Sequence, residues 1–235
     1  MSHHKRLPTT SAPVTGTMMP PTPPRISDVR RKSEIAAVLM TALGKFVFMD
    51  WLQWKLPFIL IAIAGWSIYA AARQRQVPGI LRHWGFRVDN VSDAVKIVLP
   101  LGLIAVVVFA ALGFYLGTIH ITWHIIPVLL LYPVWGTIQQ FLVIAIVAGN
   151  LKDMERNQFP SALIIFVTAL LFGLLHYPFY WLMLATFVLA LVYGAIYLKV
   201  RNVYVLGLFH GWLGAMFFYL VSGRDPFLEV FGKFL

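Results

Sequence analysis

Two glutamines and two histidines stand inside apolar stretches of this 235-residue chain. Gln139 and Gln140 follow Pro133, His176 precedes Pro178, and His210 lies between Gly207 and Gly211. A neutral imidazole can take a proton from water or donate to a developing oxyanion, and a primary amide can orient either partner. Strongly polar groups are costly in hydrocarbon, so each is a candidate for function. The plainer alternative is that they are hydrogen bonds between helices. A third is a solute site, with Trp135, Trp181, Tyr193 and Trp212 as its aromatic lining.

The carboxylates narrow the chemistry. Asp28, Glu34, Asp50, Asp89, Asp93, Asp153, Glu155, Asp225 and Glu229 are all the acids the chain has. Each falls in the N-terminal tail, a loop or a helix end, which disfavours a proton relay, a cation site or a glutamate base at depth. His120 and His124 have the i, i+4 spacing of helical metal ligands, but the sequence HITWH lacks the glutamate of a metalloprotease. The expectation is two interfacial histidines beside Trp123. No metal is expected, because two neutral histidines with amides make a poor zinc site beside the usual three strong ligands and a water. Cysteine is absent, and no cofactor is implied.

Helices in lipid must position these groups. Hydrophobic residues reach 60% and charged ones fall to 12%, with a mean hydropathy of +0.78. That excess exceeds what one water-soluble core can bury. The net charge of +10 sits in tails and loops, the pattern of charges held on the cytoplasmic side of a bilayer rather than a nucleic-acid surface. No signal peptide is apparent at the polar, Pro-rich N-terminus.

The apolar runs Glu34–Met49, Pro57–Ala72, Ala94–Tyr115, Pro133–Lys152, Ser161–His176, Phe179–Leu198 and Val203–Val221 read as helices able, or nearly able, to cross the bilayer. Gly117–Tyr132 is an eighth crossing, a re-entrant piece or an extension of the next helix. The fold class expected is an all-α polytopic bundle of seven or eight crossings, the first segment being the one that could instead lie in the interface. Arginines 73, 75, 82 and 87 should share a side with the basic tail, as should Lys152/Arg156 and Lys199/Arg201. The divisions expected are a disordered tail (1–32), a helical hairpin with a basic loop (33–93), a membrane core (94–222) and a short C-terminal tail (223–235).

The order of motifs resembles the CPBP family, also called Abi or CAAX-protease and bacteriocin-processing proteins. The likeness covers roughly residues 75–221 and rests on the Gln139–Gln140 pair, Phe172-Gly-Leu-Leu-His176, and His210 in its Gly-rich helix. Leu81-Arg-His-Trp-Gly-Phe-Arg87 is similar to the basic segment that often precedes the core in bacterial members. The resemblance implies an integral-membrane endopeptidase that cleaves near the C-terminus of membrane-embedded peptide or protein substrates. It implies catalytic roles for His176, as base or water-positioning group, and for His210, as oxyanion donor, with Gln139 and Gln140 as polar support.

Four positions depart from the family pattern. Gln139 and Gln140 replace a Glu pair, Ile144 an Arg, and Gly214 an Asn. An amide cannot act as a general base near neutral pH, so a catalytically impaired relative that binds a peptide is the companion expectation. The implied setting is a bacterial inner membrane with the N-terminus cytoplasmic. The site is expected near the Pro133 end of its helix, in the non-cytoplasmic half, with His210 nearer mid-depth. Lipid is the expected partner besides substrate; nucleic acid is not, and the sequence assigns no oligomeric state.

Overall fold

The computed structural model describes residues 26–156 and 159–233, and among these every regular element is helical. The elements are α1 (Asp28–Gly44), α2 (Lys55–Gln76), α3 (Ile80–His83), α4 (Val91–Leu116), α5 (Ile125–Gln140), α6 (Asn150–Asp153), α7 (Ser161–Leu174), α8 (Tyr180–Val200), α9 (Val203–Phe217) and α10 (Pro226–Phe231). Three π-helical stretches extend them: Lys45–Trp51 after α1, Phe141–Gly149 joining α5 to α6, and Phe218–Ser222 after α9. Five helices are long and apolar enough to cross a membrane: Lys55–Gln76, Val91–Leu116, Ile125–Asp153, Tyr180–Val200 and Val203–Ser222. The apolar α7 is shorter.

Ile125–Asp153 is the central rod. Every residue of its π stretch is buried, as expected of a helix apolar all round and enclosed by others. Its most extensive partner is α9, while α1, α7 and α8 pack against its π stretch. Small residues fix the α5/α9 crossing. A Cβ on Gly136 would stand 2.7 Å from the Gly207 carbonyl oxygen, and one on Gly211 2.5 Å from the Pro133 nitrogen. The close approach expected at Gly207 and Gly211 is therefore made, and the helix that approaches is the one carrying Gln139.

Charged side chains tie one end of the bundle. Arg201 makes two bonds to Asp153 (2.8 and 2.5 Å), and His83 reaches the same carboxylate at 3.1 Å. Tyr197 donates to the Trp84 carbonyl and Val203 N–H to the Gly85 carbonyl. Gly85 takes a positive φ of 92°, and a Cβ there would press the Arg201 carbonyl at 2.9 Å. The segment 81–87 thus locks the α8–α9 turn. Arg73, Arg82, Arg87, Asp153 and Arg201 all belong to this end, in agreement with the sidedness expected from the arginines and lysines.

Several expectations change. The chain is already helical from Asp28, so the last residues of the proposed tail belong to α1, capped by Ser27 accepting from Arg30 N–H. Residues 1–25 lie outside the described residues. Segment 1 runs along the bundle rather than across an end: Glu34 bonds Asn150 at one extreme and Lys45 donates to the Tyr177 carbonyl at the other. Arg31, read from the sequence as facing headgroups, is 6% exposed and donates to Asn150. Glu34 is not at a helix end in water but 3% exposed inside α1. In the uncertain stretch 117–132, α5 starts at Ile125, so its second half extends the next helix. After residue 222 the chain forms α10, with Asp225 capping Phe227 N–H and Leu228 N–H.

Candidate active site

Gln139 lies midway along Ile125–Asp153, about 21 Å from either end at 1.5 Å per residue. This corrects the expected position near one end: the helix begins eight residues before Pro133, because Pro133 is accommodated inside α5. Pro133 has no N–H to give the Leu129 carbonyl one turn back, and the Trp212 indole N–H donates to that oxygen at 3.1 Å instead. Immediately past Gln140 the helix switches to π geometry, which turns the following side chains relative to a regular helix.

The structure brings three of the four candidates together. His210 Nε2 lies 3.0 Å from Gln139 Oε1, a bond across the α5/α9 crossing. Phe172, fully buried on α7, touches both imidazoles, with ring centroids 5.0 Å from His176 and 5.4 Å from His210. His176 follows the end of α7 and its Nδ1 meets the Phe172 carbonyl at 2.8 Å. A carbonyl only accepts, so Nδ1 carries the proton and Nε2 of the neutral ring keeps its lone pair. By the same logic His210 Nε2–H donates to the Gln139 amide oxygen. The FxxxH spacing therefore does two things: it sets the phenyl between two imidazoles, perpendicular to one and tilted to the other, and fixes the tautomer of one.

Gln140 is not brought to this cluster. Its side chain is fully buried, and neither amide atom has a partner among the described residues. Ile144, one turn further on, is also fully buried. A Cβ on Gly214 would have Tyr132 as its nearest contact at 3.9 Å, leaving room for a side chain one turn beyond His210. The aromatic set of the transport reading is dispersed. Trp181 is 63% exposed, and Trp212 donates its indole N–H to the Leu129 carbonyl.

His120 and His124 do not share a helix face, since residues 118–122 are irregular and α5 starts at Ile125. No group of three metal-type side chains occurs among the described residues. His124 instead donates from Nδ1 to Asp225 at 2.6 Å, with Thr122 on the same oxygen and Tyr219 on the other. Nothing in the local sequence signals this pair, whose members stand 101 positions apart.

Gln139 of α5, the FxxxH histidine past the end of α7 and the glycine-flanked His210 of α9 thus meet around Phe172 and the α5/α9 crossing. Residues 121–216 match the family model for Rce1-like type II CAAX prenyl endopeptidases. The matched segment begins before α5 and ends within α9, and contains Gln139, Gln140, His176, His210 and Gly214. It agrees with the CPBP resemblance carried by the motifs, and leaves α1, α2 and α4 outside. With five helices among the described residues long and apolar enough to cross a bilayer, the chain is an integral membrane protein. No curated protein and no solved structure matches it.

Proposed function

We propose that this chain is an intramembrane endopeptidase of the CAAX-protease type, hydrolysing a peptide bond of a membrane-embedded substrate, with His176 as its base. The observation that carries this reading is the fixed tautomer of His176, whose free Nε2 can take a proton from water without a neighbouring carboxylate. The water oxygen then attacks the scissile carbonyl, and the proton passes to the leaving amine. His210 Nε2–H serves the tetrahedral oxyanion once that oxygen displaces Gln139 Oε1, and Gln139 turns its amide N–H toward the attacking water. Gln140 supports the helix rather than the reaction.

A second reading has its own observation in favour. Glutamine stands where the family keeps its glutamate base, and Gly214 supplies no side-chain donor. On that reading the site holds a peptide without cutting it. Cleavage of a reconstituted membrane peptide distinguishes the two. Activity in the wild type that disappears in His176→Ala supports hydrolysis. Wild-type levels of processing by His176→Ala would overturn it. An inert wild type with an active Gln139→Glu/Gly214→Asn variant establishes the binding role instead.

The same reading puts the charged end on the cytoplasmic face of a bacterial inner membrane, following the excess of Arg and Lys there. Labelling of single cysteines at residues 150–156 from the outer face would refute that orientation.

A further inference from the structure

A lateral cleft runs between α1 and α2, outside the segment matched by the family model. Its volume is 560 Å³, and its walls include four small residues, Ala37 and Gly44 on one side, Ala62 and Gly65 on the other. These helices do not close over it. A Cβ added to Gly65 would meet nothing within 4 Å. Longer apolar side chains, Met40, Phe48, Phe58 and Ile61, line the same cleft around these small residues. A concave strip of small residues in hydrocarbon is filled by whatever apolar chain lies beside it.

The polar lining is gathered at one extreme. Glu34 is already engaged, accepting from Tyr69 at 2.6 Å and Asn150 at 2.7 Å, with Arg73 at 3.6 Å. Arg30 also lines that end, is exposed, and has no ion-pair partner among the described residues. Arg30 to Gly44 spans about 21 Å of helix, longer than one leaflet's share of a hydrocarbon core of about 30 Å. We propose that this cleft is a binding site for an anionic phospholipid of the phosphatidylglycerol type, one acyl chain lying along Ala37, Gly44, Ala62 and Gly65 and the phosphate on Arg30. One free arginine near a membrane surface favours an anionic headgroup over a zwitterionic one by roughly fivefold.

The test uses the full chain, purified in detergent micelles doped equally with phosphatidylglycerol and phosphatidylcholine, with the retained lipid counted by native mass spectrometry. The wild type should retain one phospholipid, with about a fivefold preference for phosphatidylglycerol. Gly65→Trp, whose Cβ enters open space, should fill the cleft and abolish retention, and Ala37→Phe on the opposite wall should do the same. Arg30→Gln should keep the bound lipid and lose the preference. Equal retention of the two lipids by the wild type would overturn the proposal. So would undiminished retention in Gly65→Trp and Ala37→Phe. Retention of neither lipid would also overturn it, assigning the cleft to protein chain instead.

Discussion

The charged end and the mid-bundle site are both polar, both buried and both tied to the central helix, yet they are wired differently. At the charged end Glu34 accepts from Tyr69 and Asn150 and faces Arg73, while Asp153 binds Arg201 twice and faces Arg31 and His83. Each carboxylate there is shared by several donors on different helices. At mid-bundle a single side-chain bond, Gln139 to His210, joins two helices. Charges brought out of water must be paired or the fold fails. Neutral imidazoles and amides cost less to leave open, and open valences are what a reacting molecule can use. The charged end holds the bundle together; on the proposed function the centre is left for a substrate to complete.

That contrast is breakable. The largest loss of stability should follow Asp153→Ala, which strands the Arg201 guanidinium beside Arg31 and His83. Asp153 and Arg201 are only partly buried, so about 3 kcal/mol is expected, the low end of the range for breaking a buried ion pair from one side, read as thermal unfolding in detergent. A drop below about 1 kcal/mol would mean the two regions are not different in kind.

Gly207→Val should come next, at about 1–3 kcal/mol for overpacking, because its side chain collides with Thr137 where α5 and α9 cross. This variant should also lose any activity, since the crossing sets the Gln139–His210 approach. Wild-type stability with wild-type activity would show the crossing to be looser than described.

Gln139→Leu should cost only about 1 kcal/mol, the net worth of one hydrogen bond, while changing peptide cleavage or peptide cross-linking far more. If its stability loss rivals that of Asp153→Ala, the centre is a structural bond and the functional reading falls.

The smallest effect concerns the opposite end. Burial raises the pKa of Asp225, but bonds from His124 and Thr122, from the Leu228 N–H and from Tyr219 outweigh it and hold the carboxyl below its ordinary value. A depressed pKa contributes stability above the unfolded value of about 3.9, and loses it as pH falls through the folded one. Local protection of α10 in hydrogen exchange should therefore fade under acid, and Asp225→Asn should flatten that dependence. An unchanged profile in the variant would remove Asp225 from the account.

Legibility in the sequence followed the range of the interactions. The helical membrane class, the glycine-lined approach at Gly207 and Gly211, and the shared side of the basic loops came from composition and local spacing. So did the FxxxH geometry, because residues four apart on a helix are neighbours. Arg31 and Glu34 were misread for the opposite reason. Both look like headgroup or helix-end residues until Asn150, over a hundred positions away, is folded against them. The start of α5 was misjudged because Pro133 reads as a helix beginning, whereas Trp212, 83 positions away, satisfies the Leu129 carbonyl that the proline leaves open within a helix running from Ile125.

The two adjacent glutamines show the division most directly. Sequence alone determined that neither can be a carboxylate base, since an amide does not titrate near neutral pH, and that both must lie in apolar surroundings. It could not distinguish them. Successive residues on a helix point about 100° apart, so when α9 closes against Gly136 only Gln139 reaches His210, and Gln140 is turned into the core. Residue type set the possible chemistry, and the helix crossing chose which amide has access to it.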